Sequence, residues 1–393
     1  MKELFDVVIS GSGPSGSILG YLLSSNGFRV LIIDKEDFPR YKVCAGGIQV
    51  KAAELIPFKI DSQIHNIIRK IHLQRKSADD FLGEYDQPLV YTLDRESFDN
   101  FLVEKALAAG CVIKTGERVR EIIIDTNGVE VFTEKAKYNG KIFTGSDGAN
   151  GFTIRRFNNY QKMRKIIGYE IEIPVSEFYK KQYFYEQEIK EEKENFALFD
   201  KDCIVLDFGG VKYGYLWLFP KNKKISAGMG GFPEKSKEIK KYLKLFIKNS
   251  RLLVINDKEE LRMQAHFIPV RNKNDFISSY RVLATGDAAG LGDGFTGEGL
   301  YNAILSSHLA FTCIDRAFKD SSFEFQDYRE RIRNEIMRNI EYSIIISKIF
   351  FSSQYFYYKL IKKNENLFRS CCKILRGEKT YQDVVNKLKL IKI

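Results

Sequence analysis

The stretch that most constrains the fold of this chain is DVVISGSGPSGSILGYLLSSNGFRVLIIDKE, near its N-terminus. The apolar run Val7–Ser10 predicts a strand, the pattern Gly11-x-Gly13-x-x-Gly16 follows it, and the next residues predict a helix and a second strand, Val30–Ile33. In such a βαβ unit the helix N-terminus presents free backbone N–H groups and the positive end of the helix dipole. The stretch therefore predicts a site for the pyrophosphate of a dinucleotide.

The three glycines and one acidic residue of this unit have separate expected roles. Gly11 permits a tight turn, Gly13 lets the backbone approach the pyrophosphate, and Gly16 lets the helix pack closely on the strand. Asp34 follows the second strand, where a carboxylate can accept hydrogen bonds from ribose hydroxyl groups. Because an arginine would be expected there for a 2′-phosphate, we expect NAD or FAD rather than NADP.

Two later segments extend the predicted site and favour FAD. YNGKIFTGSDGANG predicts a strand that ends at Asp147-Gly148, and YRVLATGDAAGLGDGFTGEGLYNAILSSHLA predicts a strand, a glycine-rich loop and a helix. A second unit of this kind can bring backbone N–H groups and a carboxylate to the far end of a long cofactor. Asp287 suits the ribityl hydroxyl groups of a flavin, and the N–H groups of Gly297 to Gly299 suit its pyrimidine edge.

The motif order GxGxxG, Arg-x6-Leu (beginning at Arg95), Asp-Gly and Gly-Asp resembles the FAD-dependent hydroxylase superfamily of the p-hydroxybenzoate hydroxylase type. Three stretches are similar to the geranylgeranyl reductase family within it: FPRYKVCAGGI (38–48), YLWLFP (215–220) followed by ISAGMGG, and TGEGLYNAILSSHLA. They match its cysteine loop beside the flavin ring, its Tyr-x-Trp-x-Phe-Pro signature and its flavin-loop helix. The resemblance spans residues 5–315, with a departure at Ala45, where glycine is common.

The resemblance implies an α/β fold with a Rossmann-like FAD-binding domain, a second, mainly antiparallel β-sheet substrate domain and C-terminal helices. The expected boundaries are 1–75, 88–155 and 275–325 for the discontinuous FAD-binding domain, 76–87 and 156–274 for the substrate-binding sheet, and 326–393 for the helical region.

The predicted cofactor contacts come from the motifs above and the residues beside them. They are Gly11, Gly13, Pro14, Ser15, Gly16, Asp34, Lys35, Arg40, Cys44, Ala45, Gly46, Arg95, Val119, Asp147, Gly148, Asp287, Gly297, Gly299 and Leu300.

Tyr215 and Trp217, with Cys44, form the predicted catalytic set. The two aromatic residues alternate with leucines, so they share one face of a predicted strand. Ordinary sheet packing explains this pattern too, but the flavin context favours a wall for an apolar substrate.

Cys44 has three interpretations: a proton donor, a positioning residue, or a small buried side chain. Arg40 and Lys42 would lower its pKa if they point towards it, or they bind cofactor phosphate. Arg95 opens a helix, where a cation is unfavourable against the dipole, so we expect it to contact an anionic group.

The charge of the chain is concentrated near its end. The net charge is +11, and residues 331–393 carry 14 Lys and Arg against 5 Asp and Glu. Such a surface attracts anionic lipid headgroups or phosphorylated substrates, or is simply solvated. The stretch EYSIIISKIFFSSQYFYYKLIKKNENLFRSCCKILRG predicts helices that cap a lipid tunnel, lie on a membrane or only pack on the other domains.

Composition narrows the remaining classes. The six cysteines show no CxxC and no paired Cys/His spacing, and there are four histidines, so we expect no metal site. No apolar stretch approaches the about 20 residues of a membrane-spanning helix. We expect a cytoplasmic protein, with peripheral contact at the inner face of the membrane as an option, and no nucleic acid partner.

The resemblance implies a reductase that uses FAD to saturate isolated C=C bonds of a geranylgeranyl-type prenyl chain on a diphosphate, lipid or quinone. Because only one dinucleotide fingerprint is present, electrons would come from transiently docked NAD(P)H or from reduced ferredoxin. The alternatives are a flavin-dependent monooxygenase or halogenase acting on an aromatic or apolar substrate, and a non-catalytic lipid-binding flavoprotein.

Overall fold

The structure is a computed structural model and describes residues 4–158, 160–174, 201–249 and 261–390. Residues 387–390 are described by their backbone alone. The predicted substrate-sheet range 156–274 therefore includes residues 159, 175–200 and 250–260, which lie outside the described residues.

Eighteen strands are described. They are β1 Leu4–Ser10, β2 Val30–Ile33, β3 Gly47–Gln49, β4 Asn66–Ile68, β5 Lys70–Arg75, β6 Asp79–Glu84, β7 Val90–Thr92, β8 Val112–Lys114, β9 Val119–Ile124, β10 Val129–Thr133, β11 Lys137–Gly145, β12 Arg164–Pro174, β13 Cys203–Phe208, β14 Tyr215–Pro220, β15 Lys224–Gly231, β16 Gln264–Val270, β17 Ser278–Ser279 and β18 Val282–Ala284.

The α-helices are numbered along the described chain. They are α1 Pro14–Ser25, α2 Val50–Ala53, α3 Arg95–Ala108, α4 Phe152–Phe157, α5 Ser236–Asn249, α6 Leu300–Asp320, α7 Gln326–Arg331, α8 Arg338–Ser352, α9 Gln354–Lys363, α10 Glu365–Arg376 and α11 Tyr381–Leu390. A π-helical turn, Ile332–Met337, joins α7 to α8.

The first sheet has eight strands and a parallel centre. Its main order is β17-β18-β11-β1-β2-β8, and β10 pairs with both β11 and β9. β1 lies parallel to β2 and β11, and β11 lies parallel to β18. β1 and β2 read as apolar runs because both faces of a parallel sheet are covered. The loops that follow β1, β11 and β18 meet at one edge of this sheet, where such folds bind ligands.

The second sheet has seven strands in the order β16-β12-β15-β14-β13-β5-β6. Every pair is antiparallel except β13 with β5. On β12 the odd-numbered side chains from Ile167 to Ile173 are buried in a core under α5, whose apolar residues recur at helical spacing. The even-numbered side chains face the opposite side, towards the first sheet.

The C-terminal helices pack on the cavity side of the second sheet. Tyr358 on α9 and Phe368 on α10 are buried in one core with side chains of β5 and β13. A Cβ at Gly83 would lie 2.3 Å from the ring of Phe368, so a glycine on β6 makes room for α10. The Tyr358 hydroxyl donates to the carbonyl of Asp79 at 2.8 Å.

The predicted fold class is confirmed: a Rossmann-like sheet, a second mostly antiparallel sheet and C-terminal helices. The predicted helix after the glycine motif is α1, which begins at Pro14, and β2 has the predicted bounds. Within the described ranges, each helix is too short or too polar to cross a bilayer.

Candidate active site

A single long cavity of about 1210 Å³ runs from the glycine loops of the first sheet to the C-terminal helices. It exceeds the roughly 300–1,000 Å³ of ordinary small-molecule sites, so it can hold a long cofactor and a further ligand. Among the predicted site residues, all except Gly16 and Gly46 line it. These two glycines lie behind the lining, where each packs against backbone.

The GxGxxG loop has the geometry of a phosphate cradle. Gly11 has φ +98°, and a Cβ there would lie 2.4 Å from the carbonyl oxygen of Ser146. A Cβ at Gly16 would lie 1.9 Å from the carbonyl oxygen of Gly11, so only glycine allows this close packing. A Cβ at Gly13 would have only the Arg40 side chain within 4 Å, at 3.7 Å, so the backbone there faces the open cavity. The loop therefore fits the pyrophosphate of a bound FAD.

The three predicted acidic residues have different surroundings. Asp34 accepts hydrogen bonds from the Ser12 backbone N–H at 2.7 Å and the Ser12 hydroxyl at 2.9 Å, which fixes it at the loop. Asp147 accepts from Ser10 and Thr153 through Oδ2, while its buried Oδ1 has no protein partner. Burial raises the pKa of Asp147 to about 6.

Asp287 lies at the cavity beside two cations. Burial raises its pKa, and Lys42 and Arg95 oppose that rise. Buried carboxyl groups are costly to leave without hydrogen-bond partners. The unpartnered oxygen of Asp147 and the carboxyl group of Asp287 are therefore suited to accept hydrogen bonds from the hydroxyl groups of a cofactor. The described residues thus fit FAD, although each individual contact stays a prediction.

Arg95 pairs with an anionic residue of its own helix. It forms two hydrogen bonds to the buried Asp99, at 2.8 and 2.9 Å, and Arg40 lies 3.2 Å from the same carboxylate. Burial opposes the charge of Arg95, but Asp99 and Cys44 raise its pKa above the ordinary value. The Cys44 side chain thus lies close enough to the guanidinium to affect the pKa of Arg95. Arg95 is therefore the cation at Cys44, whereas the sequence pointed to Arg40 and Lys42.

Lys42 has a partner that the sequence did not indicate. Its ammonium group hydrogen-bonds to Nε2 of His266 on β16. Burial lowers the pKa of Lys42 to about 8, and burial with the nearby Lys42 charge lowers the pKa of His266 to about 3. His266 is thus neutral near pH 7, and its Nε2 can accept a hydrogen bond that the Lys42 ammonium group donates. No short-range pattern links two residues on separate elements in this way.

The aromatic strand β14 forms the middle of the cavity wall. Tyr215 and Trp217 face the cavity, as the alternation predicts. The leucines that alternate with them, Leu216 and Leu218, are fully buried on the other face. The indole lies over bare backbone, because a Cβ at Gly228 would lie 2.2 Å from it and one at Gly168 3.5 Å. The Tyr215 hydroxyl donates to the carbonyl of Thr296 in the glycine-rich loop.

The far part of the cavity is apolar and is closed by the C-terminal helices. The sheet supplies Ile71, Leu73, Ile204, Leu206 and Phe208, and the helices supply Ile346, Ile349, Phe350, Tyr357, Leu360 and Ile361. The sequence indicated an apolar tail but not that its helices line the same cavity as the glycine loops.

Glu298 is a buried acid that the sequence did not single out. It follows the predicted loop glycine Gly297 and lines the cavity. Burial raises its pKa to about 7, and Lys51 opposes the rise. The carboxylate accepts a hydrogen bond from the Tyr301 backbone N–H at 2.8 Å.

In flavin-free protein, Glu298→Gln should stabilise the fold more at about pH 8 than at about pH 5. The folded wild type keeps this proton up to a pKa of about 7, whereas the unfolded chain loses it near the ordinary value of 4.5. Wild-type stability therefore falls as the pH rises between these values, by up to about 3 kcal/mol, and the variant avoids that loss. Urea unfolding over this pH range measures the difference.

The exposed Glu341 provides the matched control, because Glu341→Gln should keep the wild-type pH dependence. An advantage of Glu298→Gln that is equal at every pH would contradict the assignment.

Comparison with known proteins agrees with this geometry. Residues 5–156 match the family model described as an FAD binding domain. An uncharacterized protein of Methanosarcina barkeri is 33% identical over 355 residues, which cover 90% of this chain and 85% of that protein. A digeranylgeranylglycerophospholipid reductase of Methanocaldococcus jannaschii is 26% identical over 372 residues, covering 89% of this chain and 88% of the relative.

Solved structures show the same fold. A geranylgeranyl bacteriochlorophyll reductase-like protein of Thermoplasma acidophilum superposes with a TM-score of 0.73 at 20% identity, covering 96% of this chain and 92% of that one. Flavin-dependent halogenases share the fold at 15–18% identity. Together with the cradle, the cysteine loop and the aromatic strand, these likenesses identify a flavin-dependent enzyme that binds FAD. The chain belongs to the family of FAD-dependent oxidoreductases, and it is similar to members of that family named as geranylgeranyl-type reductases.

Proposed function

We propose that this enzyme saturates isolated C=C bonds in the prenyl chain of a lipid or prenyl diphosphate. The observation that carries the proposal is the continuity of the cavity, which passes from the glycine loops, past Trp217, into an apolar space under α8 and α9. A long hydrocarbon chain fits such a space because burial of apolar surface is favourable. Two relatives are named digeranylgeranylglycerophospholipid reductases, which supports the same substrate class.

An isolated alkene lacks a carbonyl group to polarise it, so its reduction needs a hydride, a proton and a dry site. FAD supplies the hydride when it is bound and reduced. The faces of Tyr215 and Trp217 would stabilise positive charge that develops on the substituted carbon. Cys44 Sγ is the proposed proton donor, and the positive charge of the nearby Arg95 would stabilise the thiolate that remains.

The electron source is proposed to be NAD(P)H or a reduced ferredoxin that docks transiently, since the sequence has one dinucleotide fingerprint. A chemical reductant avoids this choice in a first assay.

Peripheral contact with an anionic membrane is part of the proposal. On α9, Tyr355 and Phe356 are 53% and 61% exposed, and Leu360 is both 39% exposed and part of the cavity lining. Two exposed lysines lie nearby in sequence, Lys348 on α8 and Lys363 on α9. Aromatic side chains with flanking lysines favour the interface of an anionic bilayer.

The reaction is tested with the FAD-loaded enzyme, dithionite and a geranylgeranyl lipid or diphosphate, without oxygen. We expect reoxidation of the flavin and a mass gain of two hydrogens for each bond reduced, measured by absorbance and mass spectrometry. Product that forms only with oxygen, or with oxygen and halide, would favour the monooxygenase or halogenase alternative. A reduced flavin that no prenyl substrate reoxidises would contradict the proposal.

Neighbouring residues of α8 test the apolar space. Ile346 lines the cavity, whereas Ile345 is 41% exposed to solvent. Ile346→Trp should lower kcat/KM for a geranylgeranyl substrate by about tenfold or more, because the larger ring occupies the path of the chain. Ile345→Trp should stay within about twofold of the wild type. Equal effects of the two substitutions on kcat/KM would argue against a substrate under α8.

Vesicle sedimentation tests the membrane contact. Phe356→Ser should weaken binding to phosphatidylserine vesicles by about tenfold, because it removes an exposed aromatic ring. Leu107→Ser, at a 48% exposed leucine of α3, is the control and should have no effect. Failure of the wild type to bind, or equal losses in both variants, would exclude this surface.

A further inference from the structure

The loop that carries Cys44 rests on two buried charges of the second sheet. We define the Cys44 loop as residues 41–46. Glu170 of β12 and Lys221, just after β14, lie beneath it with side-chain exposures of 0% and 2%. A Cβ at Gly46 would lie 2.7 Å from the Lys221 side chain, so loop and sheet are in close contact.

Glu170 connects this loop to the tryptophan of the cavity wall. Its Oε2 accepts a hydrogen bond from the Cys44 backbone N–H at 2.7 Å and one from the Tyr41 hydroxyl at 3.4 Å. Its Oε1 accepts from the Ser226 hydroxyl at 2.5 Å. The same hydroxyl accepts from Trp217 Nε1 at 3.3 Å. One carboxylate thus joins Cys44 to Trp217 through a continuous chain of hydrogen bonds.

The charged side chains around Glu170 form a network of ion pairs. Lys221 Nζ lies 3.8 Å from Glu170 and 2.9 Å from Glu172, and Lys224 bridges Glu172 and Asp94 at 2.8 and 2.7 Å. Burial raises the pKa of Glu170, and Lys221 opposes that rise. A buried ionic group is weak evidence for stability, since apolar replacements are often as stable. Its position suggests a role in geometry, because without it the Cys44 N–H would lose its acceptor.

We propose that Glu170 is a positioning residue of the active site, which holds the Cys44 thiol and the Trp217 indole at a fixed separation across the cavity. This positioning role rests on the proposed function only where kcat and KM for a prenyl substrate are measured. Two other readouts need neither FAD nor substrate: the alkylation rate of Cys44 and the fluorescence of Trp217, the single tryptophan of the chain.

Removal of the carboxylate should release the loop. In flavin-free Glu170→Ala, N-ethylmaleimide should label Cys44 about tenfold faster than in the wild type, as measured by peptide mass mapping, and the Trp217 emission should shift. In the FAD-loaded enzyme, kcat should fall by about 10- to 100-fold with KM changed less than about threefold, because misplaced reacting groups slow the chemical step.

Two further variants separate the two halves of the chain of hydrogen bonds. Glu170→Gln keeps an oxygen that can accept from the Cys44 N–H, so labelling and kcat should return to within about threefold of the wild type. Ser226→Ala cuts only the connection to Trp217, so the emission should shift while Cys44 labelling stays unchanged. These variants also carry the test if Glu170→Ala does not fold.

Glu172→Gln is the matched control. Glu172 lies on the same face of β12, two residues further on, and its carboxylate binds Lys221 and Lys224 instead of the Cys44 loop. Labelling of Cys44 should therefore match the wild type in this variant.

Wild-type labelling and kcat in Glu170→Ala, or equal changes in Glu172→Gln, would overturn the positioning role. The proposed function fails separately: if no prenyl substrate reoxidises the wild-type flavin while Glu170→Ala still exposes Cys44, the positioning role stands and the reaction does not.

Discussion

The hydroxyl of Thr285 receives a hydrogen bond from Ser15 at 2.7 Å and shares one with Ser146 at 2.7 Å. Thr285 and Ser146 directly follow β18 and β11, and Ser15 lies in the first turn of α1, up to 270 residues away in sequence. Ser307 of α6 adds a hydrogen bond to the backbone carbonyl of Ser15 at 2.8 Å. These buried hydroxyl groups connect the segments after three strands at the glycine-loop end of the cavity, which Ser15 and Ser146 line. Every part of the proposed chemistry depends on this junction.

The second sheet supplies the other wall, and its glycines are as important as its aromatic residues. The Trp217 indole can pack on this sheet because Gly228 lacks a Cβ, which would lie 2.2 Å from the ring, and Gly168 and Gly230 lie beside it. The same sheet carries Glu170 beneath the cysteine loop. One surface therefore shapes the apolar wall and supports the proposed proton donor. The C-terminal helices line the apolar part of the cavity, and the proposed reduction of an alkene there requires that water be excluded.

Local patterns in the sequence predict the parts of this site that lie within one element or one turn. The βαβ unit, the position of Asp34 and the shared face of Tyr215 and Trp217 follow from glycine spacing and strand alternation. Tertiary pairing determines the rest. Glu170 lies 126 residues from Cys44, and His266 lies 224 residues from Lys42, so no periodicity connects them. The partner of Arg95 was predictable in principle, since Asp99 is one helical turn away.

The central claim is that FAD occupies the glycine loops with its ring beside Trp217. Titration of the flavin-free protein with FAD, followed by tryptophan fluorescence, tests it most directly because the chain has one tryptophan. We expect uptake of one FAD per chain and strong quenching that saturates at that ratio. A protein that takes up no FAD, or one that binds FAD with unchanged Trp217 emission, would contradict it.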